Sequence, residues 1–274
     1  MDGELGDFLR SRRARIQPEE VGLPAHGRRR VPGLRREEVA QLAGVSVDYY
    51  IRLEQGRGTS VSDAVLEAVG RVLRLDGTEQ QYLREVARPR RTSPVVRQRV
   101  RPGLQLLLDT IERAPAFVLG RRMDVLGWNA LADAVNGFGR MTPQNRNMPR
   151  QVFLTPEARE LYPEWDAVAA ETVAHLRLDA GRHPDDKQLA ALVGELSLKS
   201  DDFRRLWADH LVKEKTYGVK RIAHPVVGEL SLPYETLALP GDPDQLLVAY
   251  TPQPGSATAE RLALLGSWTT PARK

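Results

Sequence analysis

The segment from Ser46 to Arg52 carries side chains that can contact the edges of DNA bases. An arginine such as Arg52 can donate two hydrogen bonds to guanine O6 and N7, worth about 1–3 kcal/mol of discrimination between bases. Asp48 can accept a hydrogen bond from a cytosine amino group, and Val47 can pack against a thymine methyl. Asp48 is equally well interpreted as a charge that favours the positive N-terminal end of a helix. The segment therefore predicts a base-contacting surface on which Asp48 keeps both interpretations.

Such side chains need a helix that enters a groove and a second helix that supports it. Residues 36–55, REEVAQLAGVSVDYYIRLEQ, predict this pair. Gly44 permits the positive φ of the turn, Ala40 is small where the helices meet, and Ser46 can cap the second helix. Apolar residues fall at the expected contact points, namely Val39, Ala43, Val45, Tyr50 and Leu53. An ordinary helical hairpin is the alternative, and the basic surroundings favour a helix-turn-helix.

The predicted DNA-contacting residues are the outward positions of the second helix and the arginines that flank the pair: Arg35, Arg36, Ser46, Val47, Asp48, Tyr49, Arg52 and Arg57. Arg35, Arg36 and Arg57 are expected to reach phosphates, which fixes register and affinity rather than base preference. Arg28, Arg29 and Arg30 lie in the loop before the pair. They are interpreted either as contacts to phosphates or a minor groove, or as a solvated run of charge.

The positive charge of the chain is concentrated at one end. Residues 1–101 contain 20 arginines, no lysine and 14 acidic residues, a net charge of +6, whereas residues 102–274 contain 20 basic and 22 acidic residues, a net charge of −2. A codon preference explains why arginine outnumbers lysine 34 to 6, but not why the surplus lies at one end. This asymmetry predicts a polyanion-binding domain joined to a nearly neutral one.

An all-α domain of five helices is predicted over residues 1–88. A first helix over 5–17 is followed by an irregular loop over 18–34, which contains three prolines. The remaining helices are predicted over 35–43, 46–55, 61–73 and 78–87, with Ser46 and Thr78 as N-caps. Prolines between residues 87 and 102 predict a basic linker, bounded here as 89–102.

An α+β domain is predicted over residues 103–268, with a short tail over 269–274. The predicted elements are helices at 103–113 and 129–136, strands at 116–120 and 123–128, a helical block at 155–212 broken at Pro163 and His183-Pro184, strands at 216–223, 227–239 and 244–251, and a helix at 256–266. The alternation of Leu230, Leu232 and Tyr234 changes phase at Leu237 and Leu239, which predicts a β-bulge. This order of elements predicts an antiparallel sheet with a helical insertion.

Several runs resemble one family of regulators. VPGLRREEVAQLAGVSVDYYIRLEQGR resembles the XRE (lambda-repressor-like) helix-turn-helix family and, more narrowly, the MmyB-like regulators of actinobacteria. LYPEWDAVAAETVAHLR, FRRLWADHLV, GVKRIAHPVVGELSLPYE and TPQPGSATAERLALL resemble the C-terminal domain of the same regulators. The resemblance implies a sequence-specific transcription regulator whose C-terminal domain has a PAS-like fold and binds a small, fatty-acid-like ligand. VFLT at 152–155 departs from the family pattern, so no acidic contact is expected at Thr155.

A sensor cavity needs apolar walls and a few polar anchors. The candidate wall residues are Trp128, Phe138, Tyr217 and Tyr250, and the candidate anchors for a carboxylate or carbonyl are Asn145, Arg146, Asn147 and His224. For each aromatic residue, a place in the core is the stronger alternative. For Arg146, the alternative is a place on the surface.

Enzymatic activity is not expected. The five histidines lack metal-ligand spacing, and neither GxSxG, a GxGxxG after a strand, nor GxxxxGK[ST] occurs. The chain has no cysteine, no signal-like start and no long apolar run, so a cytoplasmic protein without a cofactor is expected. The expected partners are double-stranded DNA, a small molecule and a second copy of the chain on a two-fold operator. Three alternatives stay open: a ligand-independent dimeric regulator, an enzyme with a DNA-binding appendage, and a helix-turn-helix used for protein contacts.

Overall fold

The chain forms two compact units in a computed structural model. The described residues are 2–24, 32–56, 61–88, 98–214, 216–242 and 244–269. The first unit contains the described residues up to Arg88 together with residues 177–187 and 206–214. The second unit contains the remaining described residues, which begin at Gln98. The N-terminal unit thus takes in two segments that lie beyond the predicted linker.

Five α-helices build the N-terminal part of the first unit, as the sequence predicts. They are α1 (Asp2–Arg15), α2 (Arg36–Ala43), α3 (Val47–Glu54), α4 (Asp63–Val72) and α5 (Gly77–Ala87). A short 3-10 helix, Pro18–Val21, lies in the predicted irregular loop. Proline at the first position of that 3-10 helix agrees with the general preference for proline at helix starts.

The turn between α2 and α3 has the predicted geometry. Gly44 has φ of 69°, the left-handed region in which glycine avoids the clash of a β-carbon. The amide of Val45 donates to the carbonyl of Ala40 at 3.0 Å, which closes the end of α2. Val39, Ala40, Tyr50 and Leu53 are buried, whereas Ala43 and Val45 are only partly buried. The two helices therefore pack through the predicted apolar positions.

One of the two predicted helix caps is confirmed and the other is wrong. Ser46 caps α3 by accepting a hydrogen bond from the Tyr49 amide at 3.2 Å. Thr78 lies inside α5, and Asp76 is the cap. The Asp76 carboxylate accepts from the Glu79 amide at 2.8 Å, and the Glu79 carboxylate accepts from the Asp76 amide at 3.2 Å. This reciprocal pair satisfies two amides at once, which the hydroxyl of Thr78 could not do.

The core of the first unit includes residues from distant parts of the sequence. Phe8 on α1 and Tyr82 on α5 meet edge to face, with ring centroids 5.0 Å apart. Leu178 and Val212 are buried in the same apolar cluster. A β-carbon on Gly181 would lie 2.3 Å from the Tyr82 ring, so this close approach requires glycine. The two later segments are therefore part of the packing of this helical unit.

A five-stranded antiparallel sheet forms the centre of the second unit. Its strands are β1 (Ala116–Leu119), β2 (Val125–Trp128), β3 (Tyr217–His224), β4 (Gly228–Ala238) and β5 (Leu246–Tyr250). Their order across the sheet is β2-β1-β5-β4-β3, and each neighbouring pair is antiparallel. The sequence predicts all five strands and their antiparallel arrangement. The helices between β2 and β3 form the predicted insertion.

The β-bulge predicted near Leu237 is not present, because β4 keeps a continuous register. Its residues pair one for one with β3 from Gly228 to Glu235 and with β5 from Tyr234 to Ala238. Leu237 pairs with Leu247, which packs with Leu239 in an apolar cluster on one face of the sheet. Leu237 itself is 54% exposed, so the change of phase in the sequence comes from an exposed leucine and not from an inserted residue.

A helix packs against one face of the sheet, over β1 and β5. Leu104 and Leu108 of α6 (Pro102–Thr110) pack against Val118 and Leu247. The other helices of the C-terminal part are α7 (Ala130–Asn136), α8 (Met148–Leu154), α9 (Ala158–Leu161), α10 (Trp165–Arg182), α11 (Lys187–Lys199), α12 (Asp201–Ala208) and α13 (Ala257–Thr269). The predicted breaks at Pro163 and His183-Pro184 are confirmed, since they separate α9, α10 and α11. Helix α8, which is capped by Asn147, is not predicted from the sequence.

Candidate nucleic-acid interface and ligand site

The outer face of α3 presents side chains that the core does not use. Val47 is 41% exposed, and Ser46, Asp48 and Arg52 are exposed, whereas Tyr49 is half-buried. The Arg52 Nε donates to the Asp48 carbonyl at 3.4 Å. Its terminal NH₂ groups have no hydrogen-bond partner in the described ranges, so they can donate to a ligand. This surface has the donors, acceptor and apolar group that base recognition in a major groove requires.

The C-terminal end of α3 is held by a buried carboxylate. Glu54 is 1% exposed, and its two oxygens accept hydrogen bonds from Arg13 Nε at 2.8 Å and Arg36 Nε at 2.6 Å. The hydrogen bond to Glu54 raises the pKa of Arg36. This cluster ties α1, α2 and α3 together. Arg36 therefore has a structural partner within the unit, besides the phosphate role that the sequence predicts.

Of the other arginines predicted to contact phosphates, only Arg35 lies within the described residues. Arg35 is exposed at the start of α2, where its amide donates to Glu38 at 2.6 Å. Arg57 lies outside the described residues, as do Arg28, Arg29 and Arg30. The Arg35 side chain is thus in solvent at the start of α2.

An aromatic chain runs through the core beneath the sheet. Trp128 is 5.6 Å from Phe138, Phe138 is 5.4 Å from Phe117, and Phe117 is 5.9 Å from Tyr250, measured between ring centroids. Tyr250 continues the chain to Tyr234 at 6.5 Å. Three of the four predicted wall residues therefore lie in one cluster. The fourth, Tyr217, is 74% exposed at the start of β3 and does not join it.

The tyrosines at the end of this chain stay protonated at neutral pH. Burial raises the pKa of Tyr234 to about 12, with a further contribution from the negative charge of Glu171. Burial also raises the pKa of Tyr250, and it raises that of Tyr162 to about 12. Each hydroxyl therefore presents a neutral donor and acceptor among apolar neighbours. Such groups suit a ligand that is mostly apolar with a single polar end.

Two of the predicted polar anchors are used inside the fold. The Asn147 amide nitrogen donates to the Arg122 carbonyl at 2.8 Å and to Asp124 at 2.9 Å. His224 Nδ1 accepts from the amides of Val226 and Val227, so its Nε2 carries the proton and donates to the Ala134 carbonyl at 3.2 Å. Asn145 is exposed.

Arg146, the remaining anchor, lies against the aromatic chain. Its guanidinium carbon is 4.9 Å from the centre of the Trp128 ring, and its Nε donates to the Phe138 carbonyl at 2.9 Å. Among the described residues, its terminal NH₂ groups have no hydrogen-bond partner. Arg146 therefore combines a fixed position with free donors.

Arg146 also lines a cavity of about 680 Å³ at the end of the sheet that carries β2. Other lining residues are Arg99, Gln105, Arg121, Arg122 and Leu126. Arg99, Arg121 and Arg122 are not predicted from the sequence as site residues, because they and Arg146 lie on separate segments that the fold brings together. In the sequence, Arg121 and Arg122 form a charged pair between two predicted strands, where solvated charge is common.

Metal binding and membrane crossing find no support in the part of the chain that the structure describes. There, no group of three or more histidine or acidic residues could hold a metal ion. No described helix is long and apolar enough to span a membrane.

A capped helix-turn-helix with an exposed second helix, joined in one chain to an antiparallel sheet domain, defines a DNA-binding transcription regulator with a ligand-binding domain. Two family models agree with this class. A helix-turn-helix domain matches residues 4–83, and the MmyB-like transcription regulator ligand binding domain matches residues 100–265. The chain belongs to the MmyB-like transcription regulator family. None of the curated proteins compared with the chain matches it.

Proposed function

We propose that this regulator binds a two-fold operator as a homodimer and that its sheet domain, PAS-like in its five antiparallel strands, senses a small, largely apolar ligand of the fatty-acid class. In this proposal residues 1–88 bind DNA, residues 89–102 link the domains, and residues 103–268 bind the ligand. The protein acts in the cytoplasm and catalyses no reaction. A ligand can switch it only by binding its two states with different affinity.

One observation carries the DNA-reading part of the proposal. Three side chains are exposed on a single helix whose N-cap is Ser46, namely Val47, Asp48 and Arg52. A helix that enters the major groove by its N-terminal end brings such positions to the base edges. Arg52 reads a guanine, Asp48 a cytosine amino group and Val47 a thymine methyl. Ser46 and Tyr49 border this surface.

Arginines beside this surface set affinity rather than base preference. Arg35 is exposed next to α3, and Arg57 follows α3 in the sequence. Arg36 is 44% exposed while its Nε is bonded to Glu54, so its remaining donors can reach a phosphate. Each such contact releases counterions and makes binding weaken as salt rises.

The cavity of the second unit favours its interpretation as a ligand sensor over its interpretation as a domain that only dimerises. A pocket-free core would favour dimerisation alone, whereas this unit contains a cavity of about 680 Å³. That volume lies within the range of about 300–1,000 Å³ that small-molecule sites occupy. Trp128, Phe138 and Tyr250 form an apolar cluster in the same unit but do not line this cavity, whereas Arg146, which lies against the Trp128 ring, lines it with free donors.

Selection from a random duplex library tests the reading helix. Arg52→Ala is expected to relax or change the preferred base at one position of each half-site, with a loss of about 1–3 kcal/mol of discrimination. Arg71→Ala is the matched control, since Arg71 is an exposed arginine on α4 of the same unit. It should leave the selected sequence unchanged. Selection of the same sequence by Arg52→Ala and the wild type would reject the assignment of α3.

A further inference from the structure

The cavity at the β2 end of the sheet concentrates positive charge in one concave place. Four arginines line it, Arg99, Arg121, Arg122 and Arg146, and the described lining contains one acid, Asp124. Asp124 pairs with Arg122 at 2.9 Å, and Asp244 pairs with Arg121 Nε at 2.9 Å. Neither Arg99 nor Arg146 has an acidic partner in the described part of the chain. Like charges around a cavity repel each other, so an anion in the cavity would be bound favourably.

Three of the four guanidinium groups of this cavity, those of Arg121, Arg122 and Arg146, are held in place before any ligand arrives. Asp244 orients Arg121, and Asp124 orients Arg122 through both Nε and Nη2. The Trp128 ring and the Phe138 carbonyl fix Arg146. Arg121 and Arg122 are only 15% and 16% exposed, so water screens them less than surface arginines. A site whose donors are already ordered loses less entropy when it binds.

The backbone at the wall of the cavity is strained. Arg122 has φ of 60° and Met123 has φ of 57°, so two successive residues with side chains occupy the left-handed region. This conformation is unfavourable for such residues and occurs preferentially at functional sites. The Asn147 amide holds it by donating to the Arg122 carbonyl at 2.8 Å. The fold thus maintains an unfavourable turn that places Arg121 and Arg122 at the cavity.

We propose that this cavity binds a small molecule that carries phosphate groups. Planar guanidinium groups pair with phosphate oxygens through two parallel hydrogen bonds, and several arginines match a ligand with several negative charges. A volume of about 680 Å³ exceeds that of one phosphate and leaves space for an organic body beside Val100, Val125 and Leu126. The inference rests on the proposed function in one respect, namely that the second unit takes a small ligand. It assigns to the cavity a chemistry different from that of a fatty acid.

Calorimetric titration of the full chain with pyrophosphate, ADP and uncharged adenosine tests this assignment. Pyrophosphate and ADP should bind in low-salt buffer without divalent ions, and adenosine should not. Arg146→Gln should weaken pyrophosphate binding by about tenfold, because a charged group that hydrogen-bonds the anion is lost. Arg140→Gln is the matched control, since this exposed arginine lies six residues away and does not line the cavity. It should change the affinity less than twofold.

Arg99→Gln keeps the test valid if Arg146→Gln fails to fold. Arg99 is exposed and packs against no aromatic ring in the described structure, and its replacement should weaken pyrophosphate binding about threefold. Absence of pyrophosphate binding to the wild type would overturn the assignment. Equal binding by the wild type and both variants would also overturn it, because the anion would then sit elsewhere.

Titration with decanoate separates this inference from the proposed function. Decanoate binding that Arg146→Gln does not change, together with a failure of pyrophosphate, would leave the apolar sensor standing and reject the phosphate site. Pyrophosphate binding without decanoate binding would support the phosphate site and reject the apolar sensor. If decanoate and pyrophosphate compete and Arg146→Gln weakens the binding of both equally, the cavity would hold the carboxylate end of a fatty acid. That outcome would also reject the phosphate assignment.

Discussion

The two faces of α3 use charge in opposite ways. On the outer face, Arg52 in the last turn of the helix lies in solvent, and its terminal NH₂ groups make no hydrogen bond to the described residues. On the inner face, two residues further on, Glu54 is buried and bonded to Arg13 and Arg36. The outer face can exchange water for a DNA base, whereas the inner face fixes the positions of three helices. Whether an arginine is available to contact DNA therefore depends on the partners that it already has within the protein.

The same distinction applies to other arginines of the first unit. Arg12 is buried and pairs with Glu79 at 2.8 Å, Arg15 donates to the Asp209 carbonyl at 2.8 Å, and Arg88 pairs with Asp63 at 3.1 Å. These arginines already have partners inside the unit, and the acids that pair with Arg12 and Arg88 are already counted in the net charge of +6. The count of 20 arginines in residues 1–101 thus overstates the number that are free to contact DNA.

Removal of the buried carboxylate should have the largest effect. Glu54→Gln leaves Arg13 and Arg36 without a negative partner and is expected to lower the free energy of unfolding by about 3 kcal/mol. Glu67→Gln is the matched control, because Glu67 pairs with Arg84 on the surface at 3.2 Å and such pairs contribute about 0–1 kcal/mol. Urea denaturation of both variants measures the difference. Similar losses in the two variants would remove the contrast between the two faces of α3.

A smaller but comparable effect is expected at Leu178, which lies far from α3 in the sequence. Leu178 is buried in the core of the first unit, so Leu178→Ala should destabilise that unit by about 2–3 kcal/mol. Hydrogen exchange of the amides in α1 and α5 should then become faster. Leu198→Ala serves as the control, because Leu198 is 86% exposed and its truncation should change exchange little. Unchanged protection of α1 and α5 in Leu178→Ala would show that the core ends before this residue.

The smallest effect concerns pH and His210. Burial, together with the positive charges of Arg177, Arg12 and Arg10 and against the opposing charge of Asp7, lowers the pKa of His210 from its ordinary value of 6.5 to about 4. Arg177 Nη1 donates to Nδ1 at 3.1 Å, so the folded imidazole is neutral. Between pH 6.5 and 4 the unfolded chain binds a proton that the folded chain does not. The free energy of unfolding should therefore fall as pH falls through this window.

The variant His210→Asn should reduce this dependence. Asparagine tolerates the positive φ of 51° at this position and does not titrate. Because His210 is partly exposed, we expect the wild type to lose only about 1 kcal/mol more than the variant between pH 7 and pH 4. Unfolding curves at a series of pH values measure this difference. Parallel pH profiles for the two proteins would contradict a neutral His210 in the folded state.

The helix-turn-helix could be predicted closely because its determinants are local. Gly44, Ser46 and the apolar positions from Val39 to Leu53 lie within one short segment, and helical periodicity alone places Arg52 outward. The Glu54 cluster was not predicted, because its partners Arg13 and Arg36 lie 41 and 18 residues away. A hydroxyl near the start of α5 predicts Thr78 as its N-cap, whereas the reciprocal hydrogen bonds of Asp76 and Glu79 place the N-cap at Asp76.

The ligand site could be predicted only in part, because its residues come together through the sheet. Short apolar runs indicate β1 and β2, and an alternating pattern indicates β4. Trp128, Phe117 and Tyr250 lie on strands, whereas Phe138, which joins them in the aromatic chain, lies on a 3-10 helix. Strand patterns do not reveal which neighbours cover each face, so the phase change at Leu237 predicts a bulge that the register of β4 does not show. Arg99, Arg121 and Arg122 converge on Arg146 only after β1 and β2 pair.

The contribution of Leu178 and Val212 to the first unit limits how regulators of this kind can exchange parts. A hybrid gene that joined residues 1–88 to another sensor would encode a head without two buried residues of its own core. The missing leucine and valine would leave an apolar hollow beside Phe8 and Tyr82, and new sensors would have to supply matching side chains. Recombination at the linker is thus disfavoured by packing, and the head and the later segments must change together over evolutionary time.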